Sequence, residues 1–458
     1  MQSRAHLVLL FLTVCCIAST STPAAAQTAS RLLIEAIEND DVELVKELFA
    51  KHNLSANGGM RGPVPIRRAV ELGRLEICKY LIEEQEADVN FQGFGYPVIV
   101  DAMPHHDVVA LLIEKGADLN RRISFRGSWT GVMVIDSVAT PLHFAANRAA
   151  PETVKLLMDS GVDVFAKATD EFTEDSKPRQ TALDVAAFYG KAENAEAIVT
   201  HPKFLAAEQE LRQQILDQAL REGSFSSGLA DEADRPGLLK VLLEAGADPK
   251  AADEEGDTSI RTVATAISPF VAEFPQHQED DAKAYALIEI LLAYGGDLDL
   301  YSAVALRDLD SVQQLLEQDP NTANALASDH YPALHFAACT RQVSVVKLML
   351  DAGANPDIRN HSTEYRGWLE GTPLHAAIGS ESWEIARLLI AAGADVNAKS
   401  EGDYTPLHLA VRLDRLETAR LLLKNGADVD AKDADGRTPL DVCRSEEMRK
   451  LLTGHDAE

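Results

Sequence analysis

The sequence predicts an all-α solenoid in which short helix-turn-helix units stack in a single row. The main observation is an internal repeat: TPLHAAIGSESWEIARLLIAAGADVNAKS, which begins at Thr372, recurs at Thr405 as TPLHLAVRLDRLETARLLLKNGADVDAKD and starts again at Thr438 as TPLDVC. The interval is 33 residues each time. In addition, a chain of 458 residues is too long for one ordinary core, while its 46% hydrophobic content is ample for burial.

The second copy shows how one unit folds. Thr405 and Pro406 suit a helix start, because a threonine oxygen accepts free backbone N–H groups and proline is tolerated in the first turn. A short apolar stripe follows, and a second helix is predicted over Leu416 to Lys424 from its apolar residues at three- and four-residue spacing. Gly426 supplies the left-handed residue that ends this helix. Neither helix buries its stripe alone, so each unit must stack on its neighbours.

These units resemble ankyrin repeats, which combine a T-P-L-H turn, two antiparallel helices and a G-A-D turn. Further copies, some clear and some looser, begin near Arg31, Val64, Tyr96, Thr140, Thr181, Gln209, Thr258, Leu300 and Pro332. The resemblance implies an ankyrin-repeat solenoid of about eleven repeats with β-hairpin-like fingers and a short C-terminal capping unit. We expect regular repeats over 27–204 and 301–458. Over 205–300 we expect irregular ankyrin-like repeats, with insertions between the two helices of a unit.

Several chemically reactive residues occupy repeat positions. The histidine of T-P-L-H recurs as His143, His335, His375 and His408, and the resemblance implies that it hydrogen-bonds its own turn. Successive repeats hold these histidines about 10 Å apart, the stacking distance of helices, so they are not expected to share a metal ion.

Alignment of the repeats also predicts the environment of the other unusual side chains. Cys78 and Cys443 align with small positions and are expected to be buried, whereas Cys339 aligns with a polar position and is expected to be exposed. Trp383 takes the position of Leu416 in the next unit and is expected in the core.

The first 26 residues have the features of a secretory signal peptide: a basic start, the apolar run LVLLFLTVCCIA and an A-x-A motif at 24–26 before Gln27. The apolar run is much shorter than the roughly 20 residues of a membrane-spanning helix. A lipoprotein anchor at Cys15 or Cys16 is the alternative, and Val14 is a poor match to the small residue that such processing needs. We therefore expect cleavage after Ala26 and a periplasmic or secreted protein.

Composition and motifs restrict the function. The chain has 43 Lys and Arg against 72 Asp and Glu, a formal net charge of −29, which repels nucleic-acid phosphates and attracts basic partners. It contains no G-x-S-x-G elbow, phosphate loop, H-E-x-x-H or C-x-x-C motif. We therefore expect no enzyme activity, no catalytic residues, no metal and no cofactor.

Three junctions between units are longer than the rest. In regular copies 12 residues separate the glycine of G-A-D from the next threonine, as between Gly393 and Thr405. Junctions that begin at Gly116, Gly161 and Gly353 take 24, 20 and 19 residues. The resemblance places all three insertions in fingers beside the concave face. Insertion length alone carries no functional meaning, because long surface loops cost little stability.

The content of two fingers indicates binding. SFRGSW and EYRGW each combine an aromatic residue, an Arg-Gly pair and a tryptophan, whereas the intervening TDEFTEDSKP is acidic and expected to be solvated. Aromatic and arginine side chains dominate interface hot spots. The predicted partner-binding residues are therefore Phe125, Arg126, Trp129, Tyr365, Arg366 and Trp368. The alternative is that each tryptophan packs into its own scaffold.

Together these observations predict a protein that binds another protein, a basic one, through its concave face and fingers. One specific version is an immunity or inhibitor protein against a toxic effector. A periplasmic scaffold with a stress-related structural role is a second hypothesis. A third is an enzyme or ligand-binding site within the irregular middle, which would require polar side chains to converge in a pocket there.

Overall fold

The computed structural model describes residues 23–52, 54–58, 64–92, 96–126, 136–170, 180–224, 234–267, 277–327, 330–360 and 371–455. Contacts divide the chain into two compact units, an N-terminal unit, Met1–Arg212, and a C-terminal unit, Gln213–Glu458. Within each unit the helices come in antiparallel pairs that stack on the next pair, so the predicted all-α repeat array is confirmed.

The N-terminal unit contains five helix pairs and one short additional helix in its described residues. In chain order the helices are α1 Pro23–Glu38, α2 Val42–Lys51, α3 Pro65–Glu71, α4 Leu75–Glu83, α5 Val98–Asp101, α6 His106–Glu114, α7 Pro141–Arg148, α8 Pro151–Asp159, α9 Ala182–Phe188, α10 Ala192–Val199 and α11 Pro202–Leu205. The odd-numbered members α1 to α9 are the first helices of their pairs, and α2 to α10 are the second helices.

The helix α12 Gln209–Ser224 spans the boundary between the units. The helices that follow are α13 Arg235–Glu244, α14 Ser259–Thr265, α15 His277–Ala293, α16 Leu300–Ala305, α17 Leu309–Gln318, α18 Ala333–Cys339, α19 Val343–Asp351, α20 Pro373–Gly379, α21 Trp383–Ala391, α22 Pro406–Arg412, α23 Leu416–Lys424 and α24 Glu446–His455. Here the first helices are α14, α16, α18, α20 and α22. Two short 3₁₀ segments, Pro320–Asn324 and Glu401–Asp403, lie in the turns.

Helix starts follow the local sequence. Thr181 accepts a hydrogen bond from the backbone N–H of Asp184, whose carboxylate in turn accepts the N–H of Thr181 at 2.6 Å, a reciprocal capping box. Second helices often begin after aspartate: Asp41, Asp234 and Asp308 each accept a backbone N–H of the first turn. These caps satisfy the N–H groups that a short helix leaves free.

The T-P-L-H histidines join neighbouring repeats. Thr372 N–H donates to His375 Nδ1 at 3.3 Å, so the ring proton lies on Nε2, which donates to the carbonyl oxygen of Tyr404 at 3.2 Å. His143 and His408 make the same bonds to the carbonyl oxygens of Gln180 and Arg437. The predicted hydrogen bonding of the turn is confirmed for these three histidines.

Burial keeps these rings neutral. It lowers the pKa of His143 and of His375 to about 4, because the charged imidazolium loses its hydration inside the stack.

His335 differs, because Pro332 replaces the threonine. Its Nδ1 instead contacts the hydroxyl oxygen of Tyr331 at 2.9 Å and the sulfur of Cys339 at 3.7 Å. Cys339 is therefore buried, and the expectation that it is exposed is wrong: the tyrosine and histidine cover the thiol. Cys78 and Cys443 are buried as expected.

The predicted position of Trp383 in the core is also wrong. The side chain is 58% exposed at the first position of α21, while Ile385, Ala386 and Leu389 supply the buried face of that helix. The first residue of a second helix lies at the end of its repeat, where fewer residues surround it. The equivalent Leu416 is itself only partly buried.

A small antiparallel sheet forms at the first long junction. Strand β1, Ile123–Arg126, pairs with β2, Asp136–Ala139, in the register Ile123 to Ala139, and β2 also pairs with β3, Thr169–Asp170. The hairpin expected for this finger is thus present. Isolated bridges such as Ala252 to Thr258 close shorter fingers.

Some sequence predictions lie outside the described residues. These are most of the signal peptide, residues 1–22, and the segments 225–233 and 268–276, which separate α12 from α13 and α14 from α15. No helix of the described residues is both long enough and apolar enough to cross a bilayer.

Candidate protein-binding surface

The predicted finger residues are only partly placed. The backbones of Phe125 and Arg126 lie in β1, opposite Ser137 and Asp136 of β2, but their side chains are outside the described part of the chain. Trp129, Tyr365, Arg366 and Trp368 also lie outside the described residues.

The base of the third finger is described. The backbone N–H of Asn360 donates to the carbonyl oxygen of Gly371 at 3.0 Å, so the ten intervening residues leave and return at one point of the repeat.

In each unit the first helices of successive repeats contact one another, and each one after α1 follows a finger turn. In the N-terminal unit, Arg67 of α3 reaches the next repeat along the chain. Its Nε lies 3.2 Å from Oδ2 of Asp101 on α5, and its Nη2 donates to the carbonyl oxygens of Gln92, at 2.9 Å, and Tyr96. The two carbonyl oxygens accept hydrogen bonds from this guanidinium, and the Asp101 carboxylate lies within ion-pair distance of it.

Aromatic side chains continue this cluster onto α7. The ring of Tyr96 meets the buried ring of Phe144 edge to face at 5.2 Å, and the guanidinium of Arg148 lies 6.0 Å from the centre of the Phe144 ring. Tyr96 is partly exposed and Arg148 is exposed. We call Arg67, Tyr96, Asp101 and Arg148 the N-terminal cluster. It combines the residue types most frequent at interface hot spots.

Asp101 has an unusual ionisation. Burial raises the pKa of its carboxyl group to about 6, and the negative charge of Glu71 adds to the shift, although Arg67 and Arg148 oppose it. The ionised carboxylate of Asp101 is therefore destabilised by burial, because its attraction to Arg67 does not fully replace the hydration that it loses.

A similar arrangement occurs in the C-terminal unit. The guanidinium of Arg412, the last residue of α22, lies 5.2 Å from the centre of the Tyr404 ring, and Nη2 of Arg437 donates to the Tyr404 hydroxyl at 3.3 Å. Arg437 is anchored by Asp433 and Asp435 at 2.9 and 2.8 Å. Tyr404, Arg412 and Arg437, which we call the C-terminal cluster, line a cavity of about 320 Å³.

The electrostatics of this cluster favour a fixed geometry. Burial would raise the pKa of Asp433, but hydrogen bonds from the backbone and side chain of Arg437 hold it below its ordinary value. Arg412 is exposed, and the described residues offer it no hydrogen bond or ion pair beyond the Tyr404 ring. Its guanidinium therefore presents donors to an incoming molecule.

The irregular middle contains a third polar group. Arg261 is bonded to both Asp257, at 3.4 Å, and Asp299, beside a cavity of about 420 Å³. Asp253, Glu255 and Asp257 bring three carboxylates within 4.8 Å of one another. However, one oxygen of Asp253 already accepts the backbone N–H groups of Glu255 and Asp257, so a polar turn explains the arrangement.

Sequence reasoning missed both clusters. Tyr404 immediately precedes a T-P-L-H turn and Arg412 ends the helix after it, positions that could have been compared along the repeats. The N-terminal cluster joins residues of three successive repeats, and no local motif marks such contacts.

Family comparisons agree with the fold. Models of the family described as ankyrin repeats (3 copies) match residues 33–123, 300–400, 360–433 and 399–458, and the model of a single ankyrin repeat matches 139–169. Together these matches cover more than half of the chain.

Curated relatives match over parts of the chain. An ankyrin repeat protein of Acanthamoeba polyphaga mimivirus is 29% identical over 35% of this chain and 20% of its own length. The E3 ubiquitin-protein ligase KEG of Arabidopsis thaliana is 27% identical over 40% of this chain and 14% of its own length. The B-cell lymphoma 3 protein homolog of Mus musculus is 28% identical over 36% of this chain and 35% of its own length. The chain thus spans about a third or less of the length of these relatives.

Proposed function

Since the chain belongs to the ankyrin-repeat family, we propose that it binds another protein through the face formed by its first helices and finger turns. Proteins built from these repeats generally act through protein–protein contacts. The observation that favours this face here is the pair of clusters. Both present arginine and tyrosine side chains, held by neighbouring groups, at the positions where first helices meet finger turns.

The proposed partner is basic, and the proposed setting is outside the cytoplasm. The net charge of −29 would steer a basic protein toward the chain. The leader-like first 26 residues favour export to the periplasm or secretion. An immunity or inhibitor protein, which occupies a toxic effector, is one form of this proposal, and the proposed role is non-catalytic.

The test begins with the partner that co-purifies from the native compartment and is identified by mass spectrometry. Its affinity for the full chain should fall from low to high salt, because attraction between exposed charges is screened. Arg148→Ala and Arg412→Ala should each cost about 2 kcal/mol of binding free energy if these arginines are hot spots. The matched control is Arg387→Ala, an exposed arginine on the second helix α21.

The same binding measurement tests the predicted finger residues. Trp129→Ala and Trp368→Ala should weaken partner binding while the thermal unfolding temperature stays unchanged. A large loss of stability would instead mean that these tryptophans pack onto the scaffold. If no cluster or finger variant alters binding, the scaffold hypothesis replaces the proposed binding face.

A further inference from the structure

The C-terminal cluster lines a cavity between two successive finger turns and the helix α22. The first turn contributes Ser400 and Gly402, and the second contributes Ala434. The backbone N–H of Ala434 donates to the carbonyl oxygen of Gly402 at 2.9 Å, so the two turns are joined to each other. Leu409 and His375 are the buried residues of the lining. The cavity volume of about 320 Å³ lies at the lower end of the usual range for small-ligand sites, so it has room for one residue rather than for a folded surface.

The part of the chain that the structure describes contributes four charged side chains to the lining of this cavity. Arg437 is bound to Asp435 at 2.8 Å and to the buried Asp433, which lies behind the lining, at 2.9 Å. Glu401 and Arg412 also line the cavity and are exposed, and neither forms an ion pair with another described residue. From the described residues, the cavity therefore offers a ligand one carboxylate and one guanidinium.

Both signs of charge surround the cavity. Lys399 pairs with Asp403 at 3.6 Å beside the first turn, and Lys432 is exposed beside the second. The guanidinium of Arg359 donates to the carbonyl oxygen of Lys399 at 2.8 Å. Burial lowers the pKa of His375 in the lining, and the charge of Arg359 adds to the lowering. A ligand is therefore selected by the two unpaired groups of the lining rather than by the net charge around it.

We propose that this cavity binds the C-terminal residue of a partner chain that ends in lysine or arginine. The inference rests on the proposed binding face, and it names the segment of the partner that enters that face. Arg412 binds the terminal carboxylate, because a guanidinium presents paired N–H donors that match the two carboxylate oxygens. Glu401 accepts hydrogen bonds from the basic side chain of the same terminal residue.

The position of Tyr404 supports this assignment. The guanidinium of Arg412 lies over the Tyr404 ring, 5.2 Å from its centre, and this contact uses none of its N–H groups as hydrogen-bond donors. The donors are therefore available to a carboxylate. Leu409 adds apolar surface to the lining, and the aliphatic part of a lysine or arginine side chain can cover such surface while its charged end reaches a polar group.

Ligands with a single sign of charge fit this lining less well. A phosphate group carries about two negative charges at neutral pH and would lie beside the carboxylates of Glu401 and Asp435. A lysine or arginine within a chain brings no carboxylate and leaves Arg412 without an anion. An acidic side chain has the opposite fault, because it leaves Glu401 without a cation. A chain end whose last residue is basic brings both charges.

The first experiment measures the affinity of the full chain for short labelled peptides by fluorescence anisotropy. The probe is a glycine and serine peptide that ends in alanine and lysine with a free carboxylate. One control carries a C-terminal amide in place of the carboxylate, and the other ends in glutamate. Each control should bind at least about tenfold more weakly, because each loses one of the two charge contacts. No binding of the lysine peptide, or equal binding of either control, would overturn the proposal.

Variants of the two unpaired residues test which group contacts which end of the ligand. Arg412→Gln should weaken binding of the lysine peptide about tenfold and leave the weak binding of its amide nearly unchanged. Glu401→Lys should weaken the lysine peptide and strengthen the glutamate peptide, a reversal that misfolding does not produce. Arg420→Gln is the matched control, an exposed arginine on the second helix α23, and it should leave all affinities unchanged. If Glu401→Lys does not alter the preference between the two peptides, the assignment of Glu401 is wrong and the proposal fails.

Competition identifies the chemistry that the cavity accepts. Lysine acetylated at its α-amino group, with a free carboxylate, should displace the labelled lysine peptide. Inorganic phosphate at the same concentration and ionic strength should not displace it. Equal displacement by phosphate would assign the cavity to phosphate groups and would overturn the proposal.

The co-purified partner separates this inference from the proposed function. Removal of the partner's last residue should weaken its binding to the full chain about tenfold. If the partner loses affinity for Arg412→Ala while the lysine peptide does not bind, the binding face stands and the chain-end assignment fails. If the peptide binds as expected but neither competes with the partner nor shares its dependence on Arg412, the cavity recognises chain ends and the proposed face of the C-terminal unit is wrong.

Discussion

The N-terminal and C-terminal units turn from the first to the second helix of a pair in different ways. The N-terminal unit places Gly73 and Gly190 in the left-handed conformation at two of these turns, with φ of 68° and 63°, and Asp40 at a third, with φ of 59°. At the four matching turns of the C-terminal unit, from Arg307 to Asp414, the residues are charged. The N-terminal unit therefore uses glycine at two of its three left-handed turns, whereas the C-terminal unit uses a charged residue at all four.

The two units also differ in their buried ionisable groups. In the N-terminal unit, His143 has a lowered pKa and Asp101 a raised one. In the C-terminal unit, burial lowers the pKa of His335 to about 3 and that of His375 to about 4; the charge of His375 adds to the lowering at His335, and the charge of Arg359 adds to the lowering at His375. Acid should therefore act differently on the two units.

The largest expected effect is a loss of stability of the C-terminal unit between pH 7 and pH 5. A histidine whose folded pKa is lowered stabilises the fold above its unfolded pKa, near 6.5, and this stabilisation is lost as the pH falls toward the folded value. His335 and His375 should each cost on the order of 2 kcal/mol at pH 5. Hydrogen exchange with mass spectrometry on segments of each unit measures this loss.

The N-terminal unit should respond less, because Asp101 works in the opposite direction. A carboxyl group with a raised folded pKa gains stability as the pH falls through 6, which offsets the loss from His143. Asp101→Asn removes the offset and should make the N-terminal unit acid-sensitive. Equal loss of protection in both units of the original chain would contradict this difference.

The next largest effect is expected at the turn between α3 and α4. In Gly73→Ala, the new Cβ would lie 2.5 Å from Nδ1 of His105, whose ring packs on this turn, and φ would be unfavourable. We expect a loss of about 2–3 kcal/mol in the free energy of unfolding. Gly116→Ala is the control, since φ is 88° but no atom lies within 4 Å of its added Cβ. Equal losses would mean that the His105 contact is unimportant.

The sequence could predict features that depend on local residues, but not contacts between repeats. Stacking units were predictable, because the 33-residue interval, the Thr405 turn and the apolar spacing are all local properties of the chain. The contact between Arg67 and Asp101 was not, since it joins two successive repeats and depends on how they stack.

The errors have the same origin. Trp383 was assigned to the core by its equivalence to Leu416, but equivalence fixes the position of a backbone and not the space around a larger ring. Cys339 was assigned to the surface by its equivalence to Arg412, but the substitution of a threonine by Pro332 moves the hydrogen bond of the turn to Tyr331, which covers the thiol.

That altered turn gives a third prediction. Tyr331→Phe removes the hydroxyl that contacts Nδ1 of buried His335, and it should cost about 1–2 kcal/mol, because a buried ring nitrogen loses a hydrogen-bond partner. In the regular turn, Thr405→Ala should cost about 1 kcal/mol, the usual value for a helix cap. Chemical unfolding of both variants measures the two losses. No loss in Tyr331→Phe would show that Cys339 alone satisfies the ring.

The smallest expected effect is a gain, and it tests the opening contrast directly. Arg341→Gly places at a C-terminal turn the residue type that the N-terminal unit uses at Gly73. Its φ is 58°, so removing the side chain should relieve left-handed strain and raise the free energy of unfolding by about 1 kcal/mol. Asp414→Gly should give a similar gain.

Glu381→Gly should gain less, since it also loses the pair with Arg415, which is worth at most about 1 kcal/mol at an exposed site. Chemical unfolding of the three glycine variants measures these changes. If the left-handed conformation strains these charged residues, the glycine variants become more stable. A variant that loses stability would show that these side chains support the fold, and the contrast between the units would then be one of packing.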